Sequence, residues 1–291
     1  MMRKKPMLAY PVSTKPIDYN KPVFIQPKLD GVRCIIQAEG LPYQVGDTEW
    51  EFEVKAYSRT GKEWKNINHI LQDLVPFFDK HPNVILDGEL YNHDLKDDFE
   101  KIISLVRKTK PTAEDRVESS EMVQFHCYDI IDEELLYDHR NEFINQSLML
   151  LGDSIYTVET TQCFTEGDAK VFHKDNLELG YEGSIVRTND VYKCGRSWSL
   201  RKFKDFRDDE AMILDWVEGK GKRVGTIGKF MAQDSEGNIF GMPVMDKFDY
   251  LQDNFKLMQS YVGKTATFTY FERTNANSYR HPLFKAIRDY E

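Results

Sequence analysis

The sequence predicts an α+β protein built from two domains. Its first two thirds mix strand-like runs, such as Val84–Tyr91 and Met122–Ile131, with helix-like segments, and the pattern beyond Asp205–Glu210 is rich in strands. The chain of 291 residues is long enough for two hydrophobic cores. We therefore place the first domain at residues 1–206 and the second at residues 207–291.

Three helices are predicted in the first domain. Asn66–Lys80 places its apolar side chains on one helical face. Asp97–Lys108 begins with an aspartate suited to cap a helix N-terminus and spaces its apolar residues at helical intervals. Glu166–Leu179 is followed by Gly180, and glycine commonly ends helices. These helices, placed between strand-like runs, give the first domain its mixed character.

Four strands and one late helix are predicted in the second domain. The helix-like stretch is Phe248–Tyr261, and it stands before the last strand. A small set of strands with one helix inserted late is typical of an OB-type β-barrel. The strands are Ala211–Val217, Val224–Ala232, Asn238–Val244 and Lys264–Phe271.

Composition excludes several classes of protein. A hydrophobic fraction of 41% and a charged fraction of 30% are typical of a soluble globular chain, and no apolar run is long enough to span a membrane. The basic amino terminus is not followed by an apolar segment, so we expect no secretory signal. The four cysteines are far apart in the sequence, which predicts free thiols, no structural zinc and a reducing compartment such as the cytoplasm.

Two runs of basic residues contain no acid, although the net charge of the chain is −9. They are Val191–Lys204 and Gly219–Lys229. Nucleic-acid binding depends on where the cations lie, so an acidic protein can still present a basic binding face. The alternative for each run is a solvated strand edge, where lysines discourage edge pairing. The candidate nucleic-acid contacts in these runs are Lys193, Arg196, Lys220, Lys222 and Arg223.

A lysine stands beside an Asp-Gly turn near the amino terminus. Lys28, Asp30, Gly31 and Arg33 form a Lys-x-Asp-Gly-x-Arg box between two apolar runs. A lysine amine becomes a nucleophile once its proton is removed or its pKa is lowered by desolvation or neighbouring cations. The box therefore indicates covalent chemistry at Lys28. The alternative is a β-hairpin turn with a solvated lysine and arginine beside it.

Six further segments follow the box along the chain and complete an ordered set of motifs. They are Ser58–Gly61, Asp87–Leu90, Phe125–Ile130, Glu182–Arg187, Lys202–Lys204 and Arg280–Phe284. The set resembles the motifs of the covalent nucleotidyltransferases, which comprise ATP-dependent DNA ligases, RNA ligases and messenger-RNA capping enzymes. It is most similar to the small ATP-dependent DNA ligases of bacteriophage type. The resemblance implies an adenylation domain of antiparallel sheets and helices at residues 1–206 and an OB-fold domain at residues 207–291.

The resemblance also implies a reaction in three phosphoryl-transfer steps with ATP and Mg²⁺ or Mn²⁺. Lys28 takes AMP from ATP, the AMP passes to the 5′-phosphate at a nick in duplex DNA, and the 3′-hydroxyl then displaces AMP. Phosphoryl transfer mainly requires orientation of groups and neutralisation of charge, so cations and carboxylates are the expected residues. The partner is nicked duplex DNA, with no membrane and no obligate protein partner, and a monomer is the simplest expectation.

Site residues follow from the resemblance, motif by motif. The catalytic residues are Lys28, Lys202 and Lys204, and the metal ligands are Glu89 and Glu182. Arg33 and Arg59 would contact phosphate and DNA as well as the nucleotide. The complete nucleotide-binding set is Gln26, Lys28, Arg33, Arg59, Glu89, Tyr128, Glu182, Arg187, Lys202 and Lys204.

Several of these residue types suit the role that the resemblance implies. A Lys-x-Lys pair on a strand places Lys202 and Lys204 on one face, where both reach one phosphate; the alternative is two exposed lysines on a sheet. Tyr128 offers an aromatic face for adenine, or is a plain core tyrosine. Gln26 stands where relatives often carry glutamate against the adenine amino group.

The tail departs most from the family pattern, and other functions stay open. Arg288-Asp289 is followed by Tyr290-Glu291 instead of the usual lysine, a position for which Arg280 or Lys285 could substitute. The nearest alternative function is an RNA ligase or capping-type nucleotidyltransferase. An alternative from another class is a single-strand-binding protein that uses aromatic residues as stacking platforms.

Overall fold

The chain forms two compact units, Met1–Phe203 and Lys204–Glu291, in a computed structural model. The structure describes residues 4–40, 44–45, 49–50, 52–96, 98–149, 151–245, 248–274 and 277–288. Strands and helices occur in both units, so the predicted α+β class is confirmed. No described helix is both long enough and apolar enough to cross a membrane.

Twelve described strands lie in the first unit. They are β1 (Met7–Pro11), β2 (Val23–Pro27), β3 (Val32–Glu39), β4 (Gln44–Val45), β5 (Glu49–Trp50), β6 (Glu53–Tyr57), β7 (Ile85–Tyr91), β8 (Gln124–Ile130), β9 (Ile155–Thr157), β10 (Thr161–Cys163), β11 (Ser184–Thr188) and β12 (Gly195–Phe203). The described helices are α1 (Asn68–Asp73), α2 (Val75–Lys80), α3 (Phe99–Val106), α4 (Ala113–Met122), α5 (Tyr137–Leu148) and α6 (Glu166–Glu178).

Ten of these strands form two five-stranded sheets, and β4 pairs with β5 alone. Sheet I has the order β1-β12-β11-β2-β10, and sheet II has the order β6-β3-β7-β8-β9. The prediction of antiparallel sheets is wrong at one pair in each sheet, because β1 runs parallel to β12 and β8 runs parallel to β9. A parallel pair needs a long connection, and many residues separate each of these two pairs along the chain.

Two predicted helices differ from the structure in their bounds. The single helix predicted at Asn66–Lys80 is divided into α1 and α2, because Pro76 lies in the first turn of α2, where it has no N–H to donate to the preceding turn. The predicted N-cap Asp97 lies outside the described residues. The side chain of Asp98 accepts a hydrogen bond from the Lys101 N–H and caps α3.

The helices α4 and α5 were not predicted from the sequence. Both carry mixed polar and apolar residues without a clear apolar stripe, so periodicity alone does not reveal them. The start of α4 has a detectable signal, since Thr112 and Asp115 form a reciprocal capping box. The predicted strand Met122–Ile131 is shorter in the structure because Met122 ends α4 and β8 begins at Gln124.

Three apolar clusters form the core of the first unit. The largest lies between sheet II and the helices α1 to α3 and α5, and a second lies between β2, β11, β10 and α6. A third cluster joins residues of both sheets and thereby packs them together. Its buried members are Met7, Ile35, Ile131, Tyr192 and Leu200.

The second unit contains one five-stranded sheet with the order β15-β14-β13-β16-β17, and all its pairs are antiparallel. Its strands are β13 (Arg207–Glu218), β14 (Ile227–Gln233), β15 (Ile239–Pro243), β16 (Thr265–Tyr270) and β17 (Leu283–Ile287), and its helix is α7 (Phe248–Phe255). The four predicted strands and the late helix are therefore present, although Met258–Tyr261 forms a 3₁₀ helix separate from α7. The described edge strands β15 and β17 are not paired, so the described strands form no closed barrel and the predicted OB fold is not confirmed.

We predict that Gly31→Ala destabilises the protein, because Gly31 is packed against the backbone of β7. A Cβ atom at this position would overlap the Leu90 carbonyl oxygen and lie 2.7 Å from the Glu89 Cγ. Overpacking of this kind costs about 1 to 3 kcal/mol. Urea unfolding of the variant and the parent protein measures the loss.

The matched control is Gly167→Ala in the first turn of α6, where the nearest atom to an added Cβ is 3.4 Å away. Alanine is a better helix former than glycine by up to about 1 kcal/mol, so this variant should be neutral or more stable. Equal losses in the two variants would contradict the packing role of Gly31.

Candidate active site

Lys28 lies where the chain leaves sheet I and enters sheet II. The strand before it, β2, belongs to sheet I, and the strand after it, β3, belongs to sheet II. The Lys28 N–H donates to the Gly183 carbonyl at 2.9 Å, and the Lys28 carbonyl accepts from the Glu182 N–H at 3.1 Å. The hairpin alternative for the lysine box is therefore wrong, because β2 and β3 do not pair.

The amine of Lys28 contacts a buried carboxylate. Its Nζ donates to Glu182 Oε2, with 23% of the lysine side chain exposed and only 4% of the glutamate side chain. Gly183 permits this arrangement, because its φ of 143° favours glycine and a Cβ there would overlap the Phe203 carbonyl. The structure thus brings together one predicted metal ligand and the predicted nucleophile.

Glu89 also lies within electrostatic range of Lys28. It is paired with Arg33 in the register of β3 and β7, and it accepts a hydrogen bond from the Tyr128 hydroxyl at 3.2 Å. Burial raises the pKa of Glu89 to about 7, and the positive charges of Arg33 and Lys28 partly oppose this rise. Because the charge of Lys28 acts on Glu89, both predicted metal ligands lie within electrostatic range of the predicted nucleophile.

Tyr128 is positioned by an irregularity in sheet II. The register of β7 and β8 pairs Asp87 with Asp129 and Gly88 with Cys127, so Tyr128 is the extra residue of a β-bulge. The Arg33 guanidinium lies 5.1 Å from the centre of the Tyr128 ring. The ring is half-buried beside Glu89, and its predicted contact with adenine stays a prediction.

Arg33 is held by a buried carboxylate. Its Nε and Nη2 donate to Asp87 at 2.6 and 2.5 Å, and Nη2 also donates to the Met7 carbonyl at 3.2 Å. The Tyr192 hydroxyl donates to the same carboxylate at 2.7 Å. Asp87 was not among the predicted site residues, although it begins the Asp-Gly-Glu-Leu motif. It fixes the guanidinium of Arg33, whose predicted phosphate contact stays a prediction.

Gln26 and Arg187 lie inside the core rather than at the surface of the site. Gln26 is 2% exposed, its Oε1 accepts from Arg187 Nε at 2.7 Å and its Nε2 donates to Thr160 Oγ1 at 2.9 Å. Arg187 Nη1 donates to Asp129 at 2.6 Å. These bonds use one acceptor site of Oε1 and one N–H of Nε2 and fix the orientation of the amide, so the predicted contact of Gln26 with the adenine amino group stays a prediction.

Lys202 lies near the nucleophile, as predicted. Burial lowers the pKa of Lys202, and the positive charges of Lys28 and Arg196 lower it further. The expectation that Lys202 and Lys204 lie on one strand is wrong, because β12 ends at Phe203. Lys204 belongs to the second unit, where its Nζ lies 4.4 Å from the centre of the Phe271 ring.

A cavity of about 650 Å³ opens beside Gly31 and Glu89. Arg33 and Arg59 line it, which places the predicted cation of the Ser-Arg-Thr-Gly motif next to the lysine box. Three further cations of the cavity were not predicted as site residues. They are Lys62, Arg107 and Lys108, of which the last two directly follow α3.

The predicted nucleic-acid contacts differ in their accessibility. Lys193, Arg196, Lys220 and Lys222 are exposed. Arg223 is half-buried, because its Nη2 donates to the Val244 carbonyl and to the Ile227 carbonyl at 3.3 Å. These two bonds tie the loop after β13 to the rest of the sheet, so the structure gives Arg223 a role in holding that loop.

The predicted substitutes for the missing tail lysine are paired with acids. Arg280 Nη1 donates to Glu272, and Lys285 Nζ lies 2.5 Å from Asp208. Asp289 and the two residues after it lie outside the described residues. The role of the tail in orienting pyrophosphate therefore stays a prediction.

The chain matches the family described as "ATP dependent DNA ligase domain" over residues 6–204. This match covers more than half of the chain, including the lysine box and both carboxylates of the site. The chain belongs to the ATP-dependent DNA ligase domain family.

Individual relatives agree with this family. The DNA ligase of Enterobacteria phage T6 is 26% identical over 311 residues, which cover 89% of this chain and 62% of the relative. A structure from a structure–function analysis of Lig E DNA ligases is 20% identical with a TM-score of 0.74, covering 99% of this chain and 100% of its own. The bacteriophage T7 ATP-dependent DNA ligase in complex with ATP is 16% identical with a TM-score of 0.56, covering 98% of each chain. The two structures support the fold.

We predict that Glu89 makes the stability of the ligase domain depend on pH. With its pKa raised to about 7 by burial, the folded protein holds a proton between about pH 4.5 and 7 that the unfolded chain has released. The free energy of unfolding should therefore fall as the pH rises through this window and level off above it. Glu89→Gln should remove this part of the loss, on the order of 2 kcal/mol.

Urea unfolding at pH 4.5, 6 and 7.5 measures this difference between the parent protein and the variant. Glu121→Gln, at an exposed position on α4, is the matched control and should follow the parent curve. Parallel pH profiles for the parent protein and Glu89→Gln would show that Glu89 titrates as an ordinary exposed acid.

Proposed function

We propose that this chain is an ATP-dependent DNA ligase that seals nicks in duplex DNA through a lysyl-AMP intermediate. The observation that carries the proposal is the contact of Lys28 with Glu182, at a crossing between two sheets where Glu89 and Lys202 also lie within electrostatic range. Membership of the ATP-dependent DNA ligase domain family supports the same chemistry.

In the first step the Lys28 amine attacks the α-phosphorus of ATP. A bond forms between Nζ and phosphorus, the bond from phosphorus to the bridging oxygen breaks, and pyrophosphate leaves with that oxygen's electron pair. The amine must give up its proton, and Glu182 is the carboxylate in contact with it. Lys202 adds positive charge that can bind the phosphates of ATP. The same charge favours the neutral form of the Lys28 amine, which is the nucleophile.

In the second step an oxygen of the 5′-phosphate at the nick attacks the phosphorus held on Lys28, and the nitrogen–phosphorus bond breaks. In the third step the 3′-hydroxyl attacks the activated phosphate, loses its proton and expels AMP. Arg59 and Arg33 are the candidate phosphate contacts, because they line the cavity beside the lysine box. Cations placed around the reacting phosphates stabilise the charge of each transition state.

The two carboxylates of the site fit a divalent cation that arrives with the nucleotide. Mg²⁺ prefers oxygen ligands and is often held by one or two carboxylates together with substrate phosphates. Glu182 contacts Lys28 and Glu89 lies within range of its charge, so both carboxylates are near the amine that would attack the α-phosphorus. A bound Mg²⁺ would supply charge neutralisation at the phosphates, and Glu89 and Glu182 would hold it.

The division of the chain into two compact units supports the two domains of this proposal, although the boundary between the units lies three residues earlier. Residues 1–206 form the adenylation domain that holds the nucleotide, and residues 207–291 form an OB-fold domain. The antiparallel order of the second sheet and its late helix support the second assignment. The edge strands β15 and β17 also come close to each other, as the ends of an incompletely closed barrel would. The enzyme acts as a monomer on nicked duplex DNA.

We predict that Lys28→Ala abolishes adduct formation, because the proposed nitrogen–phosphorus bond forms on the Lys28 amine. Purified protein is incubated with Mg²⁺ and ATP, with GTP or NAD⁺ in parallel, and its intact mass is measured. The parent protein should gain one AMP from ATP and lose it when nicked duplex DNA is added. Lys80→Ala, at the end of α2, is the matched lysine control and should form the adduct normally.

The other outcomes separate the alternative functions. A GMP adduct would indicate a capping-type enzyme, and an AMP adduct discharged only by nicked RNA would indicate an RNA ligase. An adduct on Lys28→Ala would contradict the assignment of the nucleophile. A folded protein that forms no adduct with any nucleotide, and carries none as isolated, would refute the proposed function.

We predict that the exposed lysines of the loop after β13 contribute to DNA binding by charge alone. Each phosphate contact adds about 0.9 to the slope of log affinity against log salt concentration. Neutralising Lys220 and Lys222 together should therefore lower the magnitude of that slope by up to about 2 for nicked duplex DNA. Titrations at four salt concentrations measure it. Lys256→Ala, at another exposed lysine of the second unit, should leave the slope unchanged, and an unchanged slope in the double variant would exclude both lysines from the interface.

A further inference from the structure

A tryptophan on the surface of the first unit is stacked on a tyrosine. The rings of Trp198 and Tyr10 are parallel within 7°, with centroids 3.7 Å apart. Trp198 nevertheless remains 42% exposed. A stacked pair of this size would usually be buried for its apolar area, so an exposed one indicates a surface that meets another molecule.

Cations lie over both ends of this aromatic pair. The Arg196 guanidinium lies 5.3 Å from the centre of the Tyr10 ring, and the Arg201 guanidinium lies 4.8 Å from that of Trp198. Since the two aromatic rings cover each other's inner faces, each arginine occupies an outer face. The result is a four-layer stack in the order Arg196, Tyr10, Trp198, Arg201, which we call the cation–aromatic stack. Lys15 adds a further positive charge 5.9 Å from the Trp198 ring.

The backbone builds the stack before any ligand arrives. Between β1 and β12 the register jumps, so that Ala9 pairs with Ser197 whereas Tyr10 pairs with Arg201. The three residues Trp198–Leu200 are therefore unmatched, and this bulge turns the Trp198 side chain onto Tyr10. A preformed surface loses little conformational entropy when it binds a partner.

The two arginines of the stack differ in what they can offer. Arg201 is buried, and it donates to the Trp198 carbonyl at 2.5 Å and to the Lys15 carbonyl at 2.9 Å, so it supports the stack from within. Arg196 is exposed, and among the described residues its guanidinium donates only from Nη1, to the Ala9 carbonyl at 2.8 Å. Its outer edge therefore faces solvent in a fixed orientation, as a phosphate contact requires.

The stack is also close to the reaction centre. The positive charge of Arg196 lowers the pKa of Lys202, although burial has the larger effect, and the charge of Lys28 acts on the same lysine. Arg196 and Lys28 thus both lie within electrostatic range of Lys202. A nucleic-acid strand whose reactive phosphate lies at Lys28 would pass Arg196 with its neighbouring phosphates.

We propose that the cation–aromatic stack is a docking surface for the sugar–phosphate backbone of the DNA substrate. Arg196 binds a phosphate, Tyr10 and Trp198 are positioning residues that hold its guanidinium, and the exposed edge of Trp198 packs on a neighbouring deoxyribose. The faces of both rings are already covered, so the surface suits a backbone and not a stacked base. The inference rests on the proposed function for the identity of the substrate.

A double-mutant cycle on nicked duplex DNA tests the coupling of Trp198 to Arg196. We expect the dissociation constant to rise on the order of fivefold for Trp198→Ala and tenfold for Arg196→Gln, each with a shallower salt dependence. If Trp198 acts through Arg196, adding Trp198→Ala to Arg196→Gln should cost less than half of its effect in the parent protein. Trp198→Phe keeps a ring for Arg201 and Tyr10 and should restore most of the affinity.

Phe164→Ala is the matched control, because Phe164 is an aromatic residue that is 68% exposed and takes no part in the stack. A second measurement does not depend on a change in affinity. Binding of DNA should alter the tryptophan fluorescence of the parent protein, and Trp198→Phe should lose most of that change. Unchanged affinity and salt slope in Trp198→Ala, or full additivity in the cycle, would overturn the inference. AMP adduct formation on the same preparations needs no DNA, so a parent protein that forms no adduct refutes the proposed function separately.

Discussion

The candidate site depends on two backbone hydrogen bonds that fix the residue at which the chain changes sheets. Lys28 donates to Gly183 and accepts from Glu182, so the end of β2 is joined to the residues that lead into β11. Because main-chain groups make these bonds, the position of the Lys28 Cα does not depend on its side chain. The amine can therefore exchange its carboxylate partner for a phosphate while the backbone around it stays in place. A nucleophile that must form and break a covalent bond in each catalytic cycle requires such support.

A pair of buried carboxylates in sheet II also supports the position at which the chain passes between the sheets. Asp87 and Asp129 are paired in the register of β7 and β8, where two like charges would repel each other. Arg33 neutralises the first, and Arg140 and Arg187 neutralise the second. Removing one partner from such a group leaves a buried charge unpaired and typically costs about 3 to 5 kcal/mol.

These ion pairs also position residues of the candidate site. Arg33 belongs to the lysine box, and Arg187 orients Gln26 two residues before the nucleophile. Substitutions at Asp87 or Asp129 would therefore disturb both folding and the first step of the proposed reaction. A loss of adduct formation in such variants would not by itself identify a residue that contacts ATP.

Much of the fold and the centre of the site could be predicted from the sequence. The apolar runs at β7 and β13 and the capped helix α6 carry strong local signals, and Lys28, Glu89, Glu182 and Lys202 were all named. Strand partners were harder, because β2 and β3 flank an Asp-Gly pair that elsewhere makes a hairpin. Whether Gly31 permits a turn or a close approach is decided by Leu90, which lies far away in the sequence.

Burial explains which features of the site the sequence did not reveal. A motif does not show whether its polar residues are exposed or bonded within the core. Gln26, Arg187 and Arg223 are bonded to partners that are distant in the chain, namely Thr160, Asp129 and Val244. The stack of Tyr10 on Trp198 likewise depends on a three-residue bulge between parallel strands. Tertiary contacts of this kind leave no local pattern that spacing or composition could reveal.

The net charge of −9 and the proposed DNA substrate are compatible because charges act over a limited distance. At physiological ionic strength the Debye length is about 8 Å, so an acid on a remote surface contributes little at the phosphates near Lys28. What a phosphate meets there are the nearby cations Lys202 and Arg196, and Arg59 along the cavity. At roughly 0.01 M salt the Debye length reaches about 30 Å, and the acidic surface then begins to repel the same DNA. At low ionic strength, lowering the salt further should therefore raise the affinity for DNA by less than the number of phosphate contacts predicts. The reason is that the basic face belongs to a protein whose net charge is negative.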